Sequence, residues 1–250
     1  MAEKHYIEQI NHTRQYLIPY FEKHISGFKE KDVLEIGCAE GGFLTALREI
    51  GMHGMGLELE SSRVKLALEK DPELNIITGD ITDREVISLI KQKFDLIVLR
   101  DVIEHIPNRE MLFENLQKLL APGGYVYISF PPRFSPFAGH QQNGRSFLRK
   151  IPYLQVWPPW VIRLAGRLFN EFPYMVDFII YNFKTGLTVS RFIKLVKQNG
   201  FVPYLTELFL IRPVYKIRFG LNPRFFPNIG ILREVFVTGC EALIIRKDSK

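Results

Sequence analysis

The run Val33-Leu34-Glu35-Ile36-Gly37-Cys38-Ala39-Glu40-Gly41-Gly42-Phe43-Leu44 limits what this chain can become more than any other stretch. Four residues of buried-strand character lead straight into a glycine-rich turn, which opens a helix over residues 43–50. A turn of this kind lets backbone approach a ligand closely, because a Cβ at Gly37 or Gly41 would stand in the way. It also sits at the carboxyl end of a strand, the usual ligand crevice of an open α/β sheet. A nucleotide-like ligand is the expectation.

The turn reads E-x-G-x-A-x-G-G, which is neither the G-x-G-x-x-G of a dinucleotide cradle nor the Gly-Lys-Ser/Thr ending of a P-loop. Glu35, inside the strand end, would repel a phosphate and suit a cationic ligand or an amino group. A second strand over residues 53–59 carries Glu58 about 20 residues after the glycine turn, where an acceptor typically holds a ribose diol. Together these features point to an adenosine cofactor without phosphates.

Five blocks then occur in order: VLEIGCAEGGFL (33–44), GLELESS (56–62), ITGDITD (77–83), FDLIVLRDVIEHIPN (94–108) and LLAPGGYVYISFP (119–131). In them the chain resembles the class I S-adenosylmethionine-dependent methyltransferases, especially the bacterial type-11 and ubiquinone-methyltransferase-like branch. The resemblance covers roughly residues 30 to 131 and implies S-adenosyl-L-methionine as cofactor. By the same resemblance, Glu35, Gly37, Ala39 and Gly41 would line its methionine and ribose side, and Glu58 would hold the ribose hydroxyls. Asp80 and Ile81 would meet the adenine, while Arg100 and Asp101 would flank cofactor and acceptor. Ala39 departs from the family's more frequent middle glycine, and its small side chain is expected to preserve binding.

The alternation of elements implies a Rossmann-like, doubly wound, mainly parallel seven-stranded sheet. Strands are expected at 33–37, 53–59, 74–78, 94–99 and 124–130, with helices at 41–50, 61–70, 83–92 and 108–120 between them. Pro122-Gly123-Gly124 is expected to end the last of these helices. A helix at 188–199 and strands near 201–212 and 234–246 complete the sheet as an antiparallel C-terminal hairpin. Four segments follow: an N-terminal helical cap (1–29, with a helix over 5–23), a cofactor half (30–132), an aromatic and basic insertion after strand five (133–186), and a closing segment (187–250). The insertion is read as acceptor site or lid.

Composition supports a split of roles. Residues 1–130 carry 15 Lys/Arg against 21 Asp/Glu, whereas residues 131–250 carry 18 against 6, so a −6 half is joined to a +12 half. Such asymmetry fits an acidic or membrane-like partner for the second half, or simply a solvated basic face. Within the insertion, 159–169 reads as a basic amphipathic helix with Val161, Leu164, Ala165 and Leu168 on one face. Trp157 and Trp160 beside it would suit a membrane interface. Peripheral contact through residues 151–183 therefore stands beside the alternative of an ordinary lid. Two cysteines make no disulfide framework, and there is neither a signal region nor an apolar run of about 18 residues. A cytoplasmic enzyme is expected, with the inner membrane face as an added location.

Methyl transfer depends mostly on alignment, with a general base useful where the acceptor is a hydroxyl. His140, in the loop leaving strand five, is the candidate base or acceptor ligand. His105 and Asp101 are further catalytic candidates, with bracing of the Ile106-Pro107-Asn108 turn the favoured alternative role for His105. The set Asp101, Glu104, His105 and His140 also resembles that of metal-dependent small-RNA 2′-O-methyltransferases, but the downstream histidine context differs, and no metal is assigned. The expected activity is transfer to a small-molecule or lipid-linked acceptor, with hydroxyl oxygen favoured. An RNA methyltransferase and a catalytically inactive cofactor-binding scaffold are the alternatives. No RNA-binding module is recognisable, so nucleic acid is not the expected partner.

Overall fold

The computed structural model describes residues 2–247; residues 1 and 248–250, the outer ends of the first and last expected segments, lie outside the described residues. The chain opens on α1 (Ala2–His12), a π-helical turn (Thr13–Leu17) and α2 (Ile18–His24). The helix expected over 5–23 is thus interrupted by a wider turn. There Thr13 Oγ1 donates back to the Gln9 carbonyl at 2.7 Å, a side-chain bond that competes with the helix ladder.

Strand and helix then alternate as anticipated: β1 (Val33–Ile36), α3 (Gly42–Arg48), β2 (Gly54–Glu58), α4 (Ser61–Lys70), β3 (Asn75–Thr78), α5 (Arg84–Leu89), β4 (Phe94–Arg100), α6 (Arg109–Leu119) and β5 (Leu120–Phe130). Asp83 and Asn108 cap α5 and α6 by accepting from Glu85 N and Met111 N, which fixes where those helices begin. Next come α7 (Pro159–Leu168), α8 (Pro173–Thr185), α9 (Val189–Gln198), β6 (Phe201–Ile211), α10 (Val214–Phe219), β7 (Arg224–Phe225), α11 (Leu232–Phe236) and β8 (Gly239–Arg246).

The sheet order is β3-β2-β1-β4-β5-β8-β6-β7. The first five strands run parallel, while β8 is antiparallel to β5, β6 to β8 and β7 to β6. Alternation along the central strands feeds two cores. Ile97 and Leu99 of β4 join Val126 and Ile128 of β5 on one face, whereas Leu96, Val98 and Tyr127 pack with Phe21 and Phe43 on the other. Strand order reverses between β1 and β4, so the crevice for a ligand opens at their carboxyl ends.

Four details differ from the sequence expectation. The sheet has eight strands, not seven, because the two-residue β7 adds to the β6 edge. Helix α6 ends at Leu119, and Pro122-Gly123-Gly124 instead forms an irregularity inside β5, where pairing jumps from Phe94↔Leu120 to Leu96↔Tyr125. The final strand starts at Gly239, since residues 232–236 are helical and place Glu234 against the Val189 and Ser190 amides at the start of α9 (2.8 and 2.9 Å). The aromatic and basic insertion, for which one helix is expected, holds two, α7 and α8, and has its own small apolar core with Leu148, Leu154, Ile162, Met175, Val176 and Ile179.

Candidate active site

A cavity of about 950 Å³ opens at the switch point, roofed by α1 and walled by the insertion and by the segment following β6. One lobe is built mainly from backbone. Gly37 follows β1 with φ +72°, and a Cβ there would lie 2.4 Å from Val102 Cγ2. Its amide donates to Leu57 O at 2.7 Å, tying the turn to β2. Ala39 takes φ +50°, the left-handed conformation that its replaced glycine would adopt freely.

The Ala39 amide donates to Glu58 Oε2 (2.8 Å) and the Glu60 amide to Glu58 Oε1 (3.0 Å). Two backbone donors therefore fix this buried carboxylate at the cavity wall, with lone pairs left for a diol. Just past the end of the neighbouring β3, Asp80 Oδ1 accepts from Thr82 N and Oγ1 (2.7 and 2.8 Å), which leaves Oδ2 for an external donor. Ile81 is buried beside it, and its carbonyl accepts from Asn115 Nδ2 at 2.7 Å.

Two expected cofactor residues stand off the cavity wall. Glu35 is fully buried and receives Arg100 Nε and Nη2 on one oxygen (2.9 and 2.5 Å). Burial raises its pKa, and the Arg100 guanidinium works against that rise. Arg100, which does line the cavity, lies over the Phe43 ring at 5.1 Å. Gly41 ends the turn with φ +76° and caps α3; a Cβ would meet Leu74 at 2.6 Å. In this position the left-handed turn admits the start of α3.

The second lobe is made of side chains drawn from distant elements. Asp101 (φ +54°) accepts from Arg212 Nη2 at 2.5 Å, just after β6. Burial would raise the Asp101 pKa, but the guanidinium prevails and holds it below the usual carboxylate range. His140 also has a left-handed backbone (φ +55°), and its ring centroid is 5.3 Å from that of His105. Burial is the main cause pushing His140 down to about 4, with His105 adding to it, so the imidazole is neutral near pH 7. Burial likewise lowers His105. Among the described residues, three of the five non-glycine positions with positive φ, namely Ala39, Asp101 and His140, line this one cavity. Backbone strain of that kind concentrates where a surrounding site over-determines the conformation.

Several cavity residues escaped the sequence reading. Helix α1 contributes His5, which bonds Glu40 at 2.5 Å, as well as Gln9 and His12. Gln9 Oε1 accepts from the Gly42 amide at 3.1 Å and so ties the roof to the start of α3. Burial holds His12 well below its ordinary pKa. Glu241 of β8 accepts from the Tyr16 and Tyr127 hydroxyls, each at 2.7 Å. A lone carboxylate in the apolar run of residues 240–245 was the signal available for Glu241; Arg212 offered none. The sequence points to Glu104 only through a metal-like set, and the structure buries it close to the two histidines.

Residues 3–202 match the family described as Methyltransferase domain. Among curated relatives, phosphoethanolamine N-methyltransferase 2 of Caenorhabditis elegans is 35% identical over 111 residues, 43% of this chain and 25% of that protein. The ubiquinone biosynthesis O-methyltransferase of Coxiella burnetii is 30% identical over 114 residues, 45% of this chain and 48% of the relative. The chain thus spans about half or less of the curated relatives it matches. Among solved structures, the plantazolicin methyltransferase BamL, in complex with a triazolic desmethylPZN analog and SAH, aligns with TM-score 0.57 at 12% identity, over 99% of this chain and 98% of that one. A SAM-dependent methyltransferase from Archaeoglobus fulgidus aligns with TM-score 0.54 at 16% identity, covering 94% of each chain. At these identities the structural likeness speaks to the fold.

Proposed function

The chain belongs to the methyltransferase-domain family, within the class I S-adenosylmethionine-dependent methyltransferases, and from that premise we propose that it transfers the cofactor's methyl group to a hydroxyl of a small or lipid-linked acceptor. The observation that carries this reading is the Glu58 carboxylate, held by two backbone amides beside the Gly37–Ala39 turn, with Asp80 lining the same cavity from the end of the neighbouring strand. A ribose diol and an adenine amine need acceptors of that kind, and the Arg63 guanidinium that lines the same cavity is engaged by Glu60 at 3.0 Å. Glu58 would hold the ribose, Asp80 and Ile81 the adenine, and the Gly37–Ala39 backbone the methionine side. When bound, the cofactor supplies an electrophilic methyl on a sulfonium; the protein's share is to align the acceptor and take its proton.

The acceptor side suits an aromatic or lipid-like molecule, because Tyr174, Met175, Phe178 and Tyr181 of α8 form its wall. The relatives' printed names, an O-methyltransferase of ubiquinone biosynthesis and a phosphoethanolamine N-methyltransferase, support a small acceptor. Membrane contact through residues 151–183 is part of the proposal. On α7, Trp160, Leu164 and Leu168 are 69%, 50% and 73% exposed, with Arg167 on the same short helix. None of the described helices is long and apolar enough to cross a membrane, so such contact would be interfacial.

Titration calorimetry with S-adenosylhomocysteine tests the cofactor, and transfer of methyl tritium into a fractionated bacterial extract tests the acceptor class. Binding together with label in the lipid or small-molecule fraction is expected. Absence of binding would sink the proposal, and label confined to RNA would move it to another substrate class.

A further inference from the structure

Glu104 lies in the short 3-10 turn Ile103–His105, and neither of its carboxylate oxygens has a hydrogen-bond partner although the side chain is only 4% exposed. A buried carboxylate left in that condition is costly unless something cationic or hydrogen-bonding satisfies it. The nearest imidazoles do not. His140 Nε2 stands 3.8 Å and His105 Nε2 4.0 Å from Glu104 Oε1, both beyond hydrogen-bonding distance. His140 Nε2 is itself buried without a partner. The adjacent guanidinium of Arg212 is engaged by Asp101.

We infer that Glu104, His105 and His140 form a binding site for one first-row divalent metal ion at the floor of the acceptor lobe. One ligand atom from each residue lies within 4.8 Å of the others. Ligand atoms at bond lengths of about 2.0–2.2 Å from a shared ion stand roughly 3–3.5 Å apart, so side-chain rotations of under about 1 Å would close the set. Two imidazole nitrogens and one carboxylate oxygen favour zinc, manganese, iron or cobalt over magnesium or calcium, which prefer all-oxygen shells. His140 reaches this point only from a left-handed backbone, held by Phe137 O (3.0 Å) and by the Asn143 amide on its own carbonyl (3.1 Å). The loop thus keeps an unfavourable conformation in which His140 shares the convergence.

Three protein ligands on one side leave the cavity side of the ion open, since His105 and His140 line the cavity. In the chemical part of this inference, which rests on the methyl-transfer reading, the acceptor hydroxyl oxygen takes an open position. Its proton passes to solvent, its oxygen forms the new bond to the methyl carbon, and the carbon–sulfur bond breaks with its electron pair going to sulfur. The ion's contribution is to lower the hydroxyl pKa. The binding site itself does not depend on that reaction.

The test is cobalt(II) titration of the chelator-stripped protein, read by calorimetry and visible absorption. One ion per chain is expected, with affinity weakened at least about 100-fold in Glu104→Gln and in His140→Asn, because losing a ligand should exceed the usual outer-shell loss of about 10–100-fold. Asparagine tolerates the left-handed backbone, so His140→Asn retains a folded readout if the Glu104 variant does not fold. Absence of cobalt binding to the wild type, or equal binding by the folded variants, overturns the site. A parallel S-adenosylhomocysteine titration separates the two readings. Cofactor binding without cobalt binding removes only the metal, and cobalt binding without cofactor binding removes only the methyl-transfer reading.

Discussion

The two lobes of the cavity are built on opposite principles. In the cofactor lobe, the Gly37–Ala39 turn and the amides of Ala39 and Glu60 set the positions, and the partners lie within about one βαβ unit. In the acceptor lobe, side chain meets side chain across the whole chain: Asp101 with Arg212, and Tyr16 and Tyr127 with Glu241. The first lobe is fixed once a strand and its turn form. The second exists only after β6 and β8 have joined the sheet beside β5. Damage should therefore read out differently, as lost geometry in one lobe and as altered stability and titration in the other.

The largest effect is expected from Gly37→Val. It combines a left-handed backbone that valine strongly disfavours with a Cβ 2.4 Å from Val102 Cγ2. Strain and overpacking together should cost about 3–5 kcal/mol and abolish cofactor binding. Urea unfolding and calorimetry measure both. Adding Val102→Ala relieves the overlap but not the backbone, so stability should recover in part while binding stays weak. Full recovery of binding would show that backbone conformation does not define this lobe.

Next in size is Glu241→Gln. Burial raises Glu241 to about 7, although Tyr127, Tyr16 and Arg212 act the other way and Glu207 across the β6–β8 pair adds to the rise. The folded state therefore holds a proton that the unfolded chain has released between roughly pH 4.5 and 7. Its stabilising contribution is complete at acid pH and fades as pH rises through 7, a loss of about 3 kcal/mol. Urea midpoints at pH 5 and 8 should differ less in Glu241→Gln than in the wild type. An unchanged difference would assign the slope to another group and weaken the contrast between the lobes.

The same contrast explains what could be read beforehand. The glycine turn, Glu58 and Asp80 were legible because their geometry is local and their spacing carries it. The fold class followed from the βαβ alternation, while β7 was missed because two residues leave no pattern. Arg212 and Glu241 were missed because their partners are chosen by strand order, which no local spacing encodes. The resemblance places Glu35 at the methionine side, while the Arg100 partner that takes its Oε1 lies 65 residues away and leaves no local signal. Helix α8 carries no single-faced signal because it is apolar on two sides: Val176, Ile179 and Ile180 enter the insertion's core, while Tyr174, Met175, Phe178 and Tyr181 line the cavity. On α7 the buried residues are Ile162, Ala165 and Gly166, so the apolar face drawn through Val161, Leu164, Ala165 and Leu168 is rotated from the one that packs.

A smaller loss is expected at Glu58. Glu58→Ala removes the ribose acceptor and releases the Ala39 and Glu60 amides, but leaves the turn covalently and sterically intact. Affinity for S-adenosylhomocysteine should fall by ~1–3 kcal/mol, the usual cost of losing hydrogen bonds to a charged group. Calorimetry showing unchanged affinity would remove Glu58 from the cofactor lobe. If cobalt affinity fell with it, the two lobes would be coupled and the division between them too sharp.

The smallest effect on stability belongs where apolar surface is most exposed. Leu164 and Leu168 contribute little to the insertion's packing, so changing both to serine removes water-facing hydrocarbon and creates no core cavity. Unfolding free energy should stay within about 0.5 kcal/mol of the wild type, as for ordinary surface substitutions. Binding is a different matter, because the same side chains, flanked by Trp160 and Arg167, are the ones that would enter a lipid interface. Co-sedimentation with phosphatidylglycerol vesicles separates the two. Wild-type protein that pellets, and a double variant that remains soluble yet equally stable, would show that this face is kept apolar for contact. A wild type that never pellets would remove the membrane from the proposal. A variant that unfolds readily would mean that the face packs on the protein's own insertion, which then depends on side-chain closure as fully as the acceptor lobe does.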